Sequence, residues 1–268
     1  PGLHPAGVPK ALADTVKPFA YNRFEELEAL VEAHPIGAVM MEVMRNDPPR
    51  DGFLEKVRAL TRAKGIVLIF DECTSGFRKN LGGLHLHCGI QPDMAVFGKA
   101  LGNGYAISAV VGRQEVMESA QDSFMSSTFW TERIGPVAAL KTLEIMERER
   151  SWEHIEATSR ILQDRWRGMA NRLGLSLNVG GAPGIPAFDL PVDRAMEYKT
   201  LVSQEMLDRG FLATNSVYVC TAHKPAEVEA YWVALEPVLQ QVAECELGCD
   251  VKSLLKGPVC QRGFGRLN

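Results

Sequence analysis

Long apolar runs are missing from this chain of 268 residues. The longest, at 66–70 and 107–111, fall far short of the roughly 20 residues that cross a bilayer, so no membrane anchor is expected. A large charge of either sign is missing too: 29 Lys and Arg against 33 Asp and Glu leave a formal net charge of -4. Such a balance gives no general attraction to a phosphate backbone or an anionic membrane, which excludes nucleic-acid binding as the default function. The six cysteines, at 73, 88, 220, 245, 249 and 260, lack the dense regular spacing of a small secreted disulfide scaffold, and most are expected to be free thiols. Cys245, Cys249 and Cys260 lack the second closely spaced pair of a zinc site, and His85-x-His87 with Cys88 lies in a glycine-rich loop, so no metal is expected. The opening residues carry neither a basic segment nor an apolar signal core, and the expected compartment is the cytoplasm.

Apolar residues are plentiful, at 46%, enough for a sizeable core in a chain whose length suits two lobes. Residues 36–42 are short and apolar and run into Asn46-Asp47-Pro48-Pro49, a strand followed by a turn. Over 52–64, Phe53, Leu54, Val57 and Leu60 share one helical stripe, with Gly65 as the stop. Ile66-Val67-Leu68-Ile69-Phe70 is continuously apolar rather than alternating, as a parallel strand covered on both faces would be. Strand, helix and strand in this order predict a βαβ unit and an α/β fold. A glycine-rich irregular stretch at 74–89 precedes two further short buried strands, at 94–97 and 106–112. Helices are expected at 136–148 and 152–173, then strands at 175–179, 185–190 and 217–221 and helices at 194–209 and 226–244. These make a smaller α+β lobe with a tail, 245–268, of no clear period. Trp130, Trp152, Trp166 and Trp232 are expected in the core. The domains expected are 1–135, a large α/β domain with a mainly parallel sheet, and 136–268, a connector helix and a small C-terminal domain.

In open parallel sheets ligands sit beyond the carboxyl ends of the strands. Asp71 follows 66–70 directly and Lys99 follows 94–97 after Gly98, so both side chains are expected to face one crevice. An amine and a carboxylate placed in this way suit a pyridine-aldehyde cofactor: the lysine bonds the aldehyde, and the carboxylate keeps the ring nitrogen protonated and the ring electron-poor. Released from the aldehyde, the same lysine can move a proton as general acid and base. Singly, each residue has an ordinary explanation, Asp71 as a turn-capping carboxylate and Lys99 as a solvated lysine beside a glycine loop. Arg78 suits either a substrate carboxylate held in fork geometry or a structural ion pair. Gly102-Asn103-Gly104 is too short to be a dinucleotide-binding fingerprint.

The flanking words decide. Phe70-Asp71-Glu72-Cys73-Thr74-Ser75-Gly76-Phe77-Arg78 resembles the Asp-Glu-Val-x-x-Gly-x-Arg word of class III aminotransferases. Pro92-Asp93-Met94-Ala95-Val96-Phe97-Gly98-Lys99-Ala100-Leu101-Gly102-Asn103-Gly104-Tyr105 resembles that family's Pro-Asp, hydrophobic run, Gly-Lys and glycine block. Within the family the wording is most similar to glutamate-1-semialdehyde aminomutase and its relatives. The resemblance implies a fold-type-I pyridoxal 5'-phosphate enzyme, with Lys99 as the catalytic, cofactor-bearing lysine and Asp71 as the partner of the ring nitrogen. It further implies Cys73 beside the ring in place of the usual Val, Glu42 at the cofactor margin, and Thr128 reaching the phosphate across a homodimer interface. Because Thr131-Glu132-Arg133-Ile134-Gly135-Pro136 replaces the shorter Gly-Asn-Pro of many members, Thr131 stands as the alternative phosphate contact. An amino donor and a keto or aldehyde acceptor are the implied substrates, with transfer between two molecules and an aminomutase reaction within one both open. The resemblance begins well inside a family member, so 1–135 is expected to be a partial cofactor-binding domain, without the upstream phosphate loop at a helix N-terminus or the aromatic residue stacked on the ring. A remnant that binds or assembles without catalysis is the rival reading.

Overall fold

A computed structural model describes residues 7–44, 47–125, 128, 131–190 and 193–261. Asn46 of the expected turn, Ser126, Ser127, Phe129 and Trp130 around Thr128, and the last seven residues of the tail lie outside the described residues. The chain divides into two compact units, Val8–Glu153 and one that begins at His154.

The first unit is built on a four-stranded sheet. After helix α1 (Phe24–Ala33), strand β1 (Ala38–Glu42) crosses over through α2 (Phe53–Ala63) to β2 (Val67–Asp71). The short helix α3 (Leu84–Cys88) then leads to β3 (Met94–Phe97), which is followed by β4 (Ala109–Gly112). Strand order is β1-β2-β3-β4, parallel across the first two pairings and antiparallel between β3 and β4. The mainly parallel α/β sheet expected from the sequence is therefore present. Helix α2 buries Phe53, Leu54 and Val57 in one cluster with Leu68 and Phe70 of β2 and Val39 and Met41 of β1. Each such side chain removed from water contributes about 1.5–3 kcal/mol. The helix stops where Gly65 was expected to stop it: the Ile66 N–H returns to the Thr61 carbonyl at 2.8 Å, closing the last turn.

Asp93, just ahead of β3, braces this sheet. Its buried carboxylate accepts both Arg58 Nη1 and Nη2 from α2, at 2.8 and 3.0 Å, and the Leu68 N–H of β2, at 2.8 Å. Arg113 Nε lies 2.8 Å from its Oδ1. Those partners hold the Asp93 carboxyl below its ordinary range although burial alone would raise it. Helix α4 (Gln114–Met117) follows, and α5 (Ile134–Glu149) places Ala139, with Leu143 and Met146, against Phe77, Phe97 and Leu101.

One strand departs from expectation. Residues 106–112 read as a buried strand, yet β4 starts only at Ala109 and leaves Val110 and Val111 exposed. It is an edge strand, so cover on its outer side comes from no neighbour among the described residues, whatever its apolar content.

In the second unit, α6 (Ser151–Leu173), whose first residues precede the division, is followed by a hairpin of β5 (Asn178–Ala182) and β6 (Ile185–Asp189). Helices α7 (Ala195–Asp208), α8 (Pro225–Glu246) and α9 (Val251–Leu254) complete it. Ile155, Leu162, Trp166 and Met169 recur on one face of α6 and are buried with Phe188, Tyr198, Leu201 and Leu235. Trp166 is the centre of this core, 5.0 Å from the Phe188 ring and 6.2 Å from Trp232, with its indole N–H donated to the Tyr231 hydroxyl. The strand expected at 217–221 is only a ragged flank of β6. Val217 N–H reaches the Pro186 carbonyl and Val219 N–H the Gly184 carbonyl, each at 3.0 Å, but Pro186 has no N–H to return. Among the described residues no helix is long and apolar enough to cross a membrane.

Candidate active site

Parallel pairing in register brings the carboxyl ends of β1, β2 and β3 to one rim. Glu42, the last residue of β1, lies opposite Asp71, the last of β2, and Asp71 lies opposite Val96 of β3. Lys99 comes two residues beyond the end of β3. Three residues that are far apart in sequence thus share the rim where ligands of parallel sheets bind.

The half-buried Asp71 is fixed by its own chain, since its Oδ1 accepts the Cys73 N–H at 3.0 Å. That turn sets Cys73 and Thr74 on the same rim. Burial is the main reason the Cys73 thiol is pushed above its ordinary range, and the hydrogen bond and charge of Asp71 add to it. Lys99 opposes that rise, while Glu42 adds to it. Asp71, Lys99 and Glu42 therefore all lie within electrostatic reach of Cys73.

Lys99 is exposed, and its Nζ donates to the Thr74 Oγ1 at 2.6 Å. Its backbone sits at φ 47, in the left-handed region that side-chain-bearing residues seldom occupy. Strain of this kind, about 1–3 kcal/mol, persists where the surroundings over-determine it, and such positions cluster at functional sites. The loop behind the lysine is tight: a Cβ on Gly102 would stand 2.2 Å from the Tyr105 carbonyl oxygen, so only glycine fits. Thr74 is the contact that sequence reasoning missed. The signal was its place in the Asp71 word, three residues on, where a short turn returns it to the rim.

A second cluster holds this loop from behind. Glu72 points away from Asp71, as the strand alternation requires, and is wholly buried. Its Oε1 accepts the His85 N–H at 2.8 Å and pairs with His85 Nδ1 at 2.9 Å, and its Oε2 accepts the Ser75 hydroxyl. Burial pushes the Glu72 carboxyl up, yet these donors together hold it below its ordinary range. Arg78 is buried too and donates from Nε to the Thr74 carbonyl at 2.6 Å. Thr128 lies in an exposed turn, and Thr131 is exposed as well. Neither is a partner in the Lys99–Thr74 bond or in the Asp71–Cys73 bond among the described residues.

As a donor set the rim fits the ring end of pyridoxal phosphate: an amine for its aldehyde and a fixed carboxylate for its ring nitrogen. A Cβ on Gly98 would come within 3.5 Å of the Cys73 Sγ.

The mixed α/β fold is that of solved pyridoxal-phosphate transaminases. A solved structure of the PLP internal aldimine form of the Sphingopyxis sp. MTA144 FumI protein shares this fold, with a TM-score of 0.84 at 24% identity, over 94% of this chain and 64% of that one. An omega-transaminase from Sphaerobacter thermophilus matches with a TM-score of 0.80 at 25% identity, over 89% of this chain and 60% of that one. The model of the family "Aminotransferase class-III" matches residues 5–226, and this chain belongs to that family. It is 36% identical to the 3-aminobutyryl-CoA aminotransferase of Cloacimonas acidaminovorans (strain Evry), over 89% of this chain and 60% of that protein. It is 31% identical to the glutamate-1-semialdehyde 2,1-aminomutase of Natranaerobius thermophilus, over 65% of this chain and 42% of that protein. The chain thus spans about three-fifths or less of these curated relatives.

Proposed function

We propose that this chain carries the lysine-and-aspartate part of a pyridoxal-phosphate site, in a protein that moves an amino group between an amine or amino acid and a carbonyl compound. The observation that carries the reading is the convergence of Asp71, Thr74 and Lys99 at one rim, with Nζ 2.6 Å from the Thr74 hydroxyl. When bound, the cofactor supplies an electron-poor ring that draws off negative charge from the carbon beside the reacting nitrogen. Everything else falls to the chain. Asp71, held by the Cys73 N–H, would face the ring nitrogen and favour its protonated form. Lys99 would hold the group through Nζ and would carry the proton at that atom. Thr74 fixes the direction of Nζ, and Glu42 and Cys73 line the margin.

A homodimer in the cytoplasm belongs to the same proposal, with Thr128 given to the phosphate of the other copy. Exposed Phe124, Met125, Ile134, Val137 and Leu140, in the same stretch of chain, support a partner surface there. Six cysteines without a disulfide among them support a reducing compartment. An aminomutase reaction is the second reading. The Phe70 to Arg78 word and the 31% identical aminomutase support it, and product analysis separates return of the amino group to the same skeleton from transfer to a second carbonyl compound.

The test is to add pyridoxal phosphate to the purified protein, record the visible spectrum, reduce with borohydride and map the label. The expected result is a visible band and a label on Lys99, both lost in Lys99→Ala. A label scattered over surface lysines would refute the reading and favour a remnant that binds or assembles without catalysis.

A further inference from the structure

Arg78 carries a charge that is never titrated away, yet it is only 8% exposed. A guanidinium withdrawn from water has to be repaid in hydrogen bonds, and its Nε–H spends one on the Thr74 carbonyl, four residues back, at 2.6 Å. The turn between the two is packed on the strand that leads to Lys99. The Gly76 N–H closes on the Glu72 carbonyl at 2.8 Å. A Cβ on Gly76 would stand 2.8 Å from that carbonyl oxygen and 2.8 Å from Phe97 Cδ1, so only glycine lets the turn lie this close to the end of β3. The Phe77 ring rests 5.3 Å from the Phe97 ring, and its backbone is held at φ 63. Thr74 is thus fixed against β3 through its own carbonyl and through the turn. A β-branched side chain is stiff at χ1, so a fixed Thr74 backbone leaves its Oγ1 few positions. That oxygen accepts the amine of Lys99, two residues beyond β3, at 2.6 Å.

We propose that Arg78 and Thr74 form a positioning relay for the Lys99 amine, Arg78 acting only through Thr74. The Arg78 Nε–H holds the Thr74 peptide, the stiff Thr74 side chain holds Oγ1, and Oγ1 holds one hydrogen of Nζ. Its consequence for amino transfer rests on the role proposed above for Lys99; the relay itself rests on these contacts. Lys99 needs such a relay because its side chain is otherwise exposed, and an exposed lysine spreads its amine over many rotamers. A directed Nζ meets an incoming carbonyl group in fewer wrong orientations, so the relay speeds attachment at that atom. The role asks of Arg78 a single N–H at one point along its side chain.

The experiment reads the Lys99 ammonium group by heteronuclear NMR in the protein without cofactor, its signal assigned by loss in Lys99→Ala. It then measures the rate at which added pyridoxal phosphate attaches to Lys99, trapped with borohydride. Gln places an amide nitrogen at the same point along the side chain as Arg Nε, and Met places a methyl group there. Arg78→Gln and Arg78→Met therefore both lose the guanidinium head and differ in whether a donor is left. The expected result is an ordered ammonium in the unmodified protein, in Thr74→Ser and in Arg78→Gln. In Thr74→Val and Arg78→Met it should average like those of surface lysines, and attachment should slow about tenfold, the worth of one hydrogen bond to a charged group. Adding Arg78→Met to Thr74→Val should slow attachment no further, because the relay is already cut. The same NMR pattern in a protein that takes up no pyridoxal phosphate upholds the relay and refutes the amino-transfer reading. Because Arg78 is buried and its variants risk misfolding, Thr74→Val against Thr74→Ser can overturn the proposal by itself. An ordered ammonium in Thr74→Val, equal behaviour of Arg78→Gln and Arg78→Met, or further slowing in the double variant overturns it.

Discussion

Removing the carboxylate of Asp93 tests what holds the rim in place. Asp93→Ala leaves the Arg58 guanidinium, whose side chain is 14% exposed, without its partner, and orphans the Leu68 N–H inside the sheet. Breaking a buried pair from one side costs about 3–5 kcal/mol, because the surviving charge stays desolvated. Arg113 adds little to that figure, since its side chain is 56% exposed and solvent-screened. Asp93→Asn can keep an oxygen for Leu68 and loses only the charge, for about 1–3 kcal/mol. Urea unfolding at pH 7 measures both. The pH dependence supplies a sharper check. The folded Asp93 carboxyl lies below its unfolded value of about 3.9, so its contribution is full above that value and is lost as pH falls through the lower, folded one. The gap between the protein and Asp93→Asn should therefore narrow only in acid, below about pH 4. A gap that is constant from neutral to acid pH, or a cost for Asp93→Ala no greater than that of Arg113→Ala, would refute the reasoning.

Glu72→Leu should destabilise the protein by about 1–3 kcal/mol for each donor left unpaired among the His85 N–H, the His85 ring and the Ser75 hydroxyl; urea unfolding that matches the unsubstituted protein would count against a wholly buried, ionised Glu72. Gly102→Ala forces a Cβ to 2.2 Å from the Tyr105 oxygen and 2.8 Å from Ile107. It should cost about 1–3 kcal/mol and reduce cofactor labelling at Lys99, whereas Gly98→Ala meets nothing nearer than 3.5 Å and should stay within about 0.5 kcal/mol in thermal unfolding.

Strands β1 to β3 were legible because a parallel strand covered by helices must be apolar over its whole length, and 66–70 and 94–97 are. Hydrophobicity reports burial, however, and not pairing. Leu175 and Leu177 drew the expected strand at 175–179 too early: both pack on the second core, while the hairpin pairs from Asn178 onward through two glycines. At 217–221 the apolar pattern was real, but the missing N–H of Pro186 denies it a complete ladder. Helix α3 lies in the stretch read as irregular, since five residues give too little periodicity to register. Val110 and Val111 show the limit from the other side: a sequence states the demand for cover and says nothing of its supply.

The site follows the same division. The positions of Asp71 and Lys99 were readable because each lies at or within two residues of the end of a readable strand, which fixes where the side chain emerges. Glu42, named from the sequence only through the family resemblance, shares their rim by its register with Asp71. Thr74 and the pair of Glu72 with His85 were not readable, since their partners lie 25 and 13 residues away across a loop that no periodicity describes. Their geometry depends on turns such as that of Phe77, at φ 63, which are imposed by tertiary packing and leave no local mark on a side chain of its kind. Sequence therefore locates strand-end side chains in this fold well and the partners that orient them poorly. It is the orienting partners that turn a lysine at a strand end into one with a defined direction: Thr74 takes the ammonium, Glu72 ties the following turn to α3, and Asp93 ties the strands beneath.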